Sequence, residues 1–152
     1  MFLRDMPEPF RSRLVNQPMP EFGDTPCVGG PPLADRRISL ITTAGLHRHG
    51  DRPFIPGVAD WRVIPDDADL AEIVTSHIAA NFDRTGMMND INTVFPIDRL
   101  HELVAAGMVG ASAPLHYGFM GSTPPTAYAD TIKALAADMK RDGVSGVVLA
   151  GV

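Results

Sequence analysis

Cysteine, long apolar runs and clustered basic residues are scarce in this sequence, and each scarcity excludes a class of protein. A single cysteine, Cys27, excludes an internal disulfide and a thiolate metal site. No apolar run approaches the roughly 20 residues that span a bilayer, and the start, MFLRDMPEPFRSRL, lacks the continuous apolar core of a signal peptide. We therefore expect a cytoplasmic protein without a membrane partner.

An excess of positive charge is also missing. The net charge is -5 at pH 7 and the basic residues form no block, so we expect no nucleic-acid partner. What is present is the composition of an ordinary globular domain, with 45% apolar and 20% charged residues. A chain of 152 residues is long enough to bury one compact core.

Proline divides the chain into two parts. Half of the 14 prolines fall at or before Pro32, which excludes a long helix or a central strand there. We interpret residues 1–35 as a Pro-rich extended arm and residues 36–152 as an α/β domain. Cys27 has no cationic neighbour in the sequence that would activate it, so we expect an inert thiol. Four irregularly spaced apolar residues are expected to anchor the arm to the surface: Phe2, Phe10, Leu14 and Phe22.

Segments of strand and helix character alternate from Ile38 onward. We predict strands at Ile38–Gly45, Trp61–Ile64, Met108–Pro114 and Val144–Val152, a helical turn and a strand within Leu70–Ile78, and helices at Pro96–Gly107 and Thr123–Gly143. A helix joined to an apolar strand by a short connection is typical of a βαβ unit. The pattern therefore predicts a layered α/β fold with a mostly parallel, Rossmann-like sheet and flanking helices.

The loop LHRHGDRPFIPG after the first strand carries a His-x-His-x-Asp pattern that runs from His47 to Asp51. It resembles the metal motif of the metallo-β-lactamases, whose spacing turns two imidazoles toward one zinc ion. The pattern departs from that motif at Arg52, where another histidine is needed, so we expect a polar loop without a metal. The later acidic group Asp66–Asp69 lacks the spacing of a calcium loop and is interpreted as a solvated turn.

Several ordered blocks of the sequence resemble one protein family. The run SHIAANFDRTGMMNDINTVFPIDRLHELVAAGMVGASAPLHYGFMG, preceded by ITTAGLH and followed by DMKRDGVSGVVLAGV, resembles the selenoprotein B family of glycine, sarcosine, betaine and D-proline reductases. The similarity extends from Ile38 to Val152. Its most characteristic parts are FPIDRL and the block from His77 to Asp90.

This resemblance implies an oxidoreductase subunit that takes part in the reductive cleavage of a carbon–nitrogen bond α to a carboxylate, in a small amino-acid-like substrate. It implies a selenocysteine or cysteine nucleophile, which in the family follows the strand corresponding to Val144–Val152 and would lie beyond Val152. It also implies a pyruvoyl group on a partner subunit, so other reductase subunits are the expected partners. No cofactor and no catalytic residue is assigned within the chain itself.

Polar residues close to the predicted strand ends and in the family-like blocks are the candidate ligand contacts, because loops at the carboxyl ends of parallel strands form the ligand crevice of such folds. The candidates are Thr43, His47, His77, Asp83, Asp90, Asn92, His116 and Tyr117. We assign His77 and His116 as proton donors or ligand clamps. Asp83 and Asp90 are assigned as acceptors for an ammonium group, and Asn92 and Tyr117 as orienting groups. For a lone histidine such as His77, a purely structural role is the alternative.

The position of the implied nucleophile leaves several functional interpretations open. Selenocysteine is encoded by UGA, which otherwise acts as a stop codon, so one hypothesis is that the sequence ends at a recoded codon or is otherwise truncated. Sequencing past the Val152 codon tests this hypothesis. A chain without the nucleophile is instead expected to be a non-catalytic small-ligand-binding or complex-assembly module. Metal-dependent hydrolysis through His47 and His49 is the third interpretation. An open sheet edge would also favour self-association into a homo-oligomer.

Overall fold

The computed structural model of the chain describes residues 3–21, 23, 28–79 and 82–152. Its strands are β1 (Arg37–Thr42), β2 (Leu46–Arg48), β3 (Trp61–Pro65), β4 (Ile73–Thr75), β5 (Ala111–Ser112), β6 (Leu115–Phe119) and β7 (Gly146–Ala150). Its α-helices are α1 (Phe10–Val15), α2 (Thr85–Asn89), α3 (Ile97–Ala105) and α4 (Ala129–Arg141). Short 3-10 helices lie at Leu3–Asp5, Leu33–Asp35, Leu70–Glu72, Ile91–Thr93 and Pro125–Tyr128.

The central strand of a mostly parallel sheet is β1. It pairs in parallel with β7 from Ile38 to Thr42. On its other side it pairs in parallel with β5 and β6, and β6 then pairs with β3 in antiparallel orientation. The apolar and β-branched sequence of β1 suits this position, because helices and loops cover most of both its faces.

Helices pack on both faces of the sheet. Successive side chains of a strand point to opposite faces, and apolar side chains on each face pack against a helix. The first face packs against α3 in a buried cluster that includes Ile38, Leu40, Ile64, Ile97 and Leu100. The second face packs against α4 in a cluster that includes Tyr117, Phe119, Tyr128, Leu135 and Met139. No helix in the described part of the chain is both long enough and apolar enough to cross a membrane.

A separate antiparallel ribbon, formed by β2 and β4, lies over the sheet at β6. The approach is closest at Gly118, where an added Cβ atom would lie 2.0 Å from the carbonyl oxygen of Leu46. Leu46 is 1% exposed and belongs to the cluster on the α3 face. The ribbon backbone therefore requires glycine at position 118.

The structure confirms a mixed α/β fold with a mostly parallel sheet and helices. The first strand, the edge strand at Trp61–Ile64 and the two long helices all form close to the predicted positions. The predicted helical turn followed by a strand within Leu70–Ile78 is also present. A Rossmann-like arrangement is not confirmed, because the sheet includes the antiparallel β3 and a ribbon lies over it.

Three segments differ from their predictions. The strand predicted at Met108–Pro114 is limited to β5, and the longer strand begins only at Leu115. The loop predicted after Gly45 begins instead with β2, which pairs with β4. The last strand was expected to be buried, but Leu149 is 74% exposed because β7 is an edge of the described sheet.

Short helices occur in the described part of the segment before β1, and the extended arm is not confirmed. Neither α1 nor the 3-10 helices beside it bury a residue. Phe10 is 65% exposed and Leu14 is 50% exposed, so their predicted role as surface anchors is wrong. Phe2, Phe22 and Cys27 lie outside the described residues. The division of the chain at residue 35 stays a prediction.

Candidate functional site

Thr43 joins three chain segments at the carboxyl end of β1. Its Oγ1 accepts a hydrogen bond from the backbone N–H of Val152, just beyond β7, at 2.9 Å. Its carbonyl oxygen accepts the N–H of Gly121, in the loop after β6, at 3.0 Å. Thr43 therefore lies where the carboxyl ends of the parallel strands meet, as its position after β1 predicts.

His77 lies beside this edge because the chain turns tightly at Gly45. Gly45 has a φ of +67°, and a Cβ atom added there would lie 2.8 Å from the backbone nitrogen of His77. The His77 side chain is buried, and its ring centroid lies 4.5 Å from that of Phe82. Thr43, through the adjoining turn, and His77 thus belong to one neighbourhood at the carboxyl edge.

The hydrogen bonds of His77 fix its tautomer. Nδ1 accepts the N–H of Ala79 at 3.2 Å, so in the neutral ring the proton resides on Nε2. Nε2 is buried and has no hydrogen-bond partner among the described residues. Burial, and secondarily the positive charge of Arg84, hold the pKa of His77 below its usual range. His77 therefore presents a neutral N–H donor at pH 7.

This environment predicts an acid-sensitive contribution of His77 to stability. An unfolded histidine titrates near pH 6.5, whereas folded His77 has a lowered pKa. The contribution of neutral His77 is therefore complete above about pH 6.5 and is lost as the pH falls through the folded pKa, because the unfolded chain takes up the proton first. His77→Asn, whose Oδ1 can still accept the Ala79 N–H, should weaken the fall in unfolding free energy between about pH 7.5 and 5.5, measured by urea titration.

The exposed His49 provides a matched control for this measurement. His49→Asn removes a histidine without a buried environment and should keep the wild-type pH dependence. The assignment is contradicted if His77→Asn and the wild type lose stability with the same slope over this interval.

The predicted ammonium acceptors Asp83 and Asp90 are exposed and bonded within their own turns. The carboxylate of Asp83 accepts the N–H of Thr85 at 2.9 Å, and that of Asp90 accepts the N–H of Asn92 at 2.9 Å. The backbone bond from Thr85 lowers the pKa of Asp83, and side-chain and backbone bonds from Asn92 lower the pKa of Asp90. Both groups are therefore anionic near neutral pH, and their role toward a ligand stays a prediction.

Asn92 has a structural function at the start of α3. Its Oδ1 accepts the N–H of Asp98 at 3.0 Å, and its Nδ2 donates to the Asp98 carboxylate at 2.8 Å. Nδ2 also donates to Asp90 at 3.0 Å. These bonds satisfy an amide at the first turn of the helix and hold the preceding 3-10 turn against it. Such bonds leave Asn92 little freedom to orient a ligand.

The three other predicted groups, His47, Tyr117 and His116, lie inside strands and not in loops. His47 is a buried member of β2, where its Nδ1 is 2.9 Å from the carbonyl oxygen of Arg48, to which only a protonated Nδ1 can donate. Tyr117 is 3% exposed within β6, and burial raises the pKa of its hydroxyl. Tyr117 was expected beyond the strand predicted at Met108–Pro114, and its place within β6 corrects that expectation. No group of three or more His, Cys, Asp or Glu side chains among the described residues is arranged to hold a metal ion.

His116, also expected beyond the strand predicted at Met108–Pro114, is fully buried within β6. Its Nδ1 accepts the backbone N–H of Leu40 at 3.0 Å, and its Nε2 donates to Asp66 at 2.9 Å. The same carboxylate oxygen accepts bonds from His101 at 2.8 Å and from Ser112 at 2.6 Å. This four-residue cluster, which we call the Asp66 cluster, lies at the amino end of β6, opposite the edge that holds Thr43. Asp66 does lie in a turn, as predicted, but its carboxylate is half-buried and bonded to these side chains and is not fully solvated.

The electrostatics of the Asp66 cluster favour a neutral histidine beside an anionic carboxylate. Burial lowers the pKa of His116 and outweighs the opposing effect of Asp66. Burial alone would raise the pKa of Asp66, but the bonds from Ser112, His116 and His101 together lower it. The cluster thus links β3, α3, β5 and β6 through one carboxylate oxygen, which indicates a structural function.

A groove of about 460 Å³ lies between the β2–β4 ribbon and α2. Its walls are mostly apolar, and Arg84 is the only charged side chain among the described residues that line it. Arg84 donates to the carbonyl oxygens of His77 at 2.6 Å and of Phe82 at 3.3 Å. The groove therefore adjoins the His77 segment through Arg84, a residue absent from the predicted site. The residues that surround Arg84 come together only when the β2–β4 ribbon folds.

Comparison with known proteins identifies a family and several relatives. The model of the family described as glycine/sarcosine/betaine reductase selenoprotein B matches residues 8–152. D-proline reductase subunit gamma of Acetoanaerobium sticklandii is 35% identical over 120 residues, which are 77% of this chain and 49% of that protein. Glycine reductase complex component B subunit gamma of Carboxydothermus hydrogenoformans is 28% identical over 140 residues, and that of Symbiobacterium thermophilum is 26% identical over 140 residues.

The share of each relative that this chain covers differs among the three. Each glycine reductase alignment covers 87% of this chain but 32% of the relative. The chain thus spans about half the length of the D-proline reductase subunit and about a third of the other two. No solved structure matches the chain. The family match covers nearly the whole sequence, and the chain therefore belongs to the glycine/sarcosine/betaine reductase selenoprotein B family.

Proposed function

We propose that this chain is the substrate-side subunit, or a part of it, of a reductase complex that cleaves a carbon–nitrogen bond in a small amino acid. The observation that carries the proposal is the family match over residues 8–152, together with relatives named as gamma subunits of D-proline reductase and of glycine reductase component B. Glycine, sarcosine, betaine and D-proline are the candidate substrates. The reaction opens one C–N bond and adds two electrons and two protons across it.

The geometry supports a substrate-binding role for the carboxyl edge of the sheet. Neutral His77 offers a buried N–H donor that has no partner among the described residues. Arg84 brings a positive charge to the same segment. A hydrogen-bond donor and a guanidinium at one edge suit an anionic substrate group better than a cationic one.

The groups that would break the bond lie outside the described residues in this proposal. A selenocysteine or cysteine nucleophile would lie beyond Val152, and a pyruvoyl group would belong to a partner subunit. The pyruvoyl carbonyl supplies an electrophile for the substrate amine when it is present. The residues of this chain would bind and orient the carboxylate side of the substrate and would donate a hydrogen bond from His77 Nε2.

A second candidate function is a non-catalytic ligand-binding or complex-assembly module. The observation that favours it is the open edge of β7, where Leu149 is 74% exposed and Val147 and Val148 are each 43% exposed. An apolar strand edge is suited to strand addition by another polypeptide. Ligand binding or complex assembly without turnover would favour this module over the reductase.

The site assignment predicts a kinetic defect for His77→Asn in the assembled complex. The variant keeps an acceptor for the Ala79 N–H but loses the N–H donor at Nε2, so turnover should fall by at least about tenfold without loss of the fold. The measurement is kcat and KM of the complex, with near-UV circular dichroism as the check on folding. His49→Asn is again the control and should keep wild-type kinetics. Wild-type kcat and KM for His77→Asn would remove His77 from the site.

A further inference from the structure

Arg84 is a half-buried guanidinium without a carboxylate partner among the described residues. Its two hydrogen bonds go to the neutral carbonyl oxygens of His77 and Phe82. No carboxylate of a described residue lies within 4 Å of its guanidinium, the distance that defines an ion pair. Asp83 is its neighbour in sequence, but the carboxylate of Asp83 is bonded to Thr85. The guanidinium also lies over the ring of Phe82, 5.3 Å from its centroid. Arg84 therefore has carbonyl and aromatic contacts, but no carboxylate among the described residues balances its charge.

Arg62, another guanidinium that is removed from solvent, shows the usual solution. Arg62 is 9% exposed, stacks over the ring of Phe54 and pairs with the carboxylate of Asp60 at 3.0 Å. A charge that is withdrawn from water is normally paired with an opposite charge. Arg84, which is half-buried, has the corresponding ring contact with Phe82 but no corresponding carboxylate among the described residues.

The groove beside Arg84 has the size and the walls of a small-ligand site. Its volume of about 460 Å³ falls within the range of small-molecule pockets. Leu46, Ile73, Met87 and Ile91 give it apolar walls. Thr75 also lines it, but its hydroxyl already donates to the carbonyl oxygen of Ala44 at 2.7 Å. The groove therefore offers one cation within apolar surroundings.

The position of the guanidinium is fixed before any ligand arrives. The bond of 2.6 Å from Arg84 to His77 ties the side chain to a segment that Gly45 and Phe82 hold in place. These two bonds use only part of the donors of a guanidinium, whose fork matches a carboxylate in two-point geometry. A fixed cation loses little side-chain freedom on binding, which favours affinity.

We propose that this groove binds the carboxylate of a small molecule with an apolar body, and that Arg84 is the residue that holds the carboxylate. The inference deepens the proposed function, on which its biological role rests, because it assigns the carboxylate end of the substrate to this groove. No described acid lines the groove, so an ammonium group on the same molecule would lie at its mouth, away from Arg84.

The test is a binding titration on the full chain alone, without partner subunits or reductant. The probe is 4-methylpentanoate, and its uncharged isostere 4-methylpentanamide is the control ligand. By isothermal titration or by amide NMR shifts, the carboxylate should bind at least about tenfold more tightly than the amide, because a hydrogen bond to a charged group exceeds a neutral one. Arg84→Gln should abolish this preference, whereas Arg99→Gln, an exposed arginine of α3, should preserve it.

Several results would overturn the inference. They are equal affinity for the carboxylate and the amide, no binding of either at millimolar concentration, and an unchanged carboxylate preference in Arg84→Gln. If Arg84→Gln does not fold, Arg84→Lys decides, since it keeps the charge and should keep a reduced carboxylate preference. Turnover plays no part in this titration. A complex without reductase activity would therefore contradict the proposed function while leaving the groove assignment intact. Conversely, a failed titration would contradict the groove assignment while leaving the proposed function intact.

Discussion

Gly118→Ala is expected to destabilise the protein by more than about 3 kcal/mol, at the upper end of overpacking effects. The added Cβ atom would lie 2.0 Å from the carbonyl oxygen and 3.0 Å from the carbonyl carbon of Leu46. Both atoms belong to the backbone of β2, so no side-chain rotation can relieve the clash. The ribbon must move away from β6, and Leu46, which is 1% exposed, would lose its packing.

Urea unfolding followed by circular dichroism measures this effect. Gly151→Ala is the matched control, because no atom lies within 4 Å of a Cβ atom added there. It should change the free energy of unfolding by less than about 0.5 kcal/mol. A Gly118→Ala protein with wild-type stability would show that the ribbon does not lie over β6 as described.

His116→Ala is expected to lower the free energy of unfolding by about 3–5 kcal/mol, the combined effect of a cavity and of lost hydrogen bonds. His116 is fully buried, and its removal leaves the N–H of Leu40 without its acceptor. Asp66 would lose one of its three donors at the same time. The loss should be larger than for removal of His101, because His116 is the fully buried donor to the Asp66 carboxylate.

His101→Ala separates this effect from the loss of any one bond to Asp66. The His101 side chain is 44% exposed and donates to the same carboxylate oxygen at 2.8 Å. Its removal should lower stability by less than about 1 kcal/mol, as for other exposed pairs. Similar losses for the two variants would contradict a structural function that depends on buried His116.

The elements that the sequence predicts well are those with local signals. Each of these signals lies within one continuous segment of the chain: the apolar run of β1, the proline before α3 and the apolar stripe of α4. β2 is harder to predict because its strand is short and its partner, β4, lies more than 20 residues later. The exposure of β7 also depends on which strands surround it, and a single segment does not contain that information.

The residues of the candidate site also differ in how well the sequence predicts their positions. The placement of Thr43 and His77 near the carboxyl edge could be predicted, because each follows a strand and the carboxyl ends of parallel strands converge; their role toward a ligand stays a prediction. The Asp66 cluster could not be predicted, because it depends on the antiparallel register that pairs Pro65 with Leu115 and so brings Asp66 close to His116. Arg84 was missed for a related reason, since its groove exists only after the ribbon packs beside α2.

The central claim is that this chain takes part in reductive C–N cleavage as a reductase subunit, and product mass tests it most directly. The complex containing this chain is purified with its partner subunits, supplied with a dithiol reductant and given each candidate amino acid in turn. The account predicts that one cyclic substrate gains two hydrogen atoms on ring opening, or that one acyclic substrate releases its amine and leaves the reduced acid. Intact substrates throughout, under conditions in which the D-proline and glycine reductase complexes turn over, would contradict it.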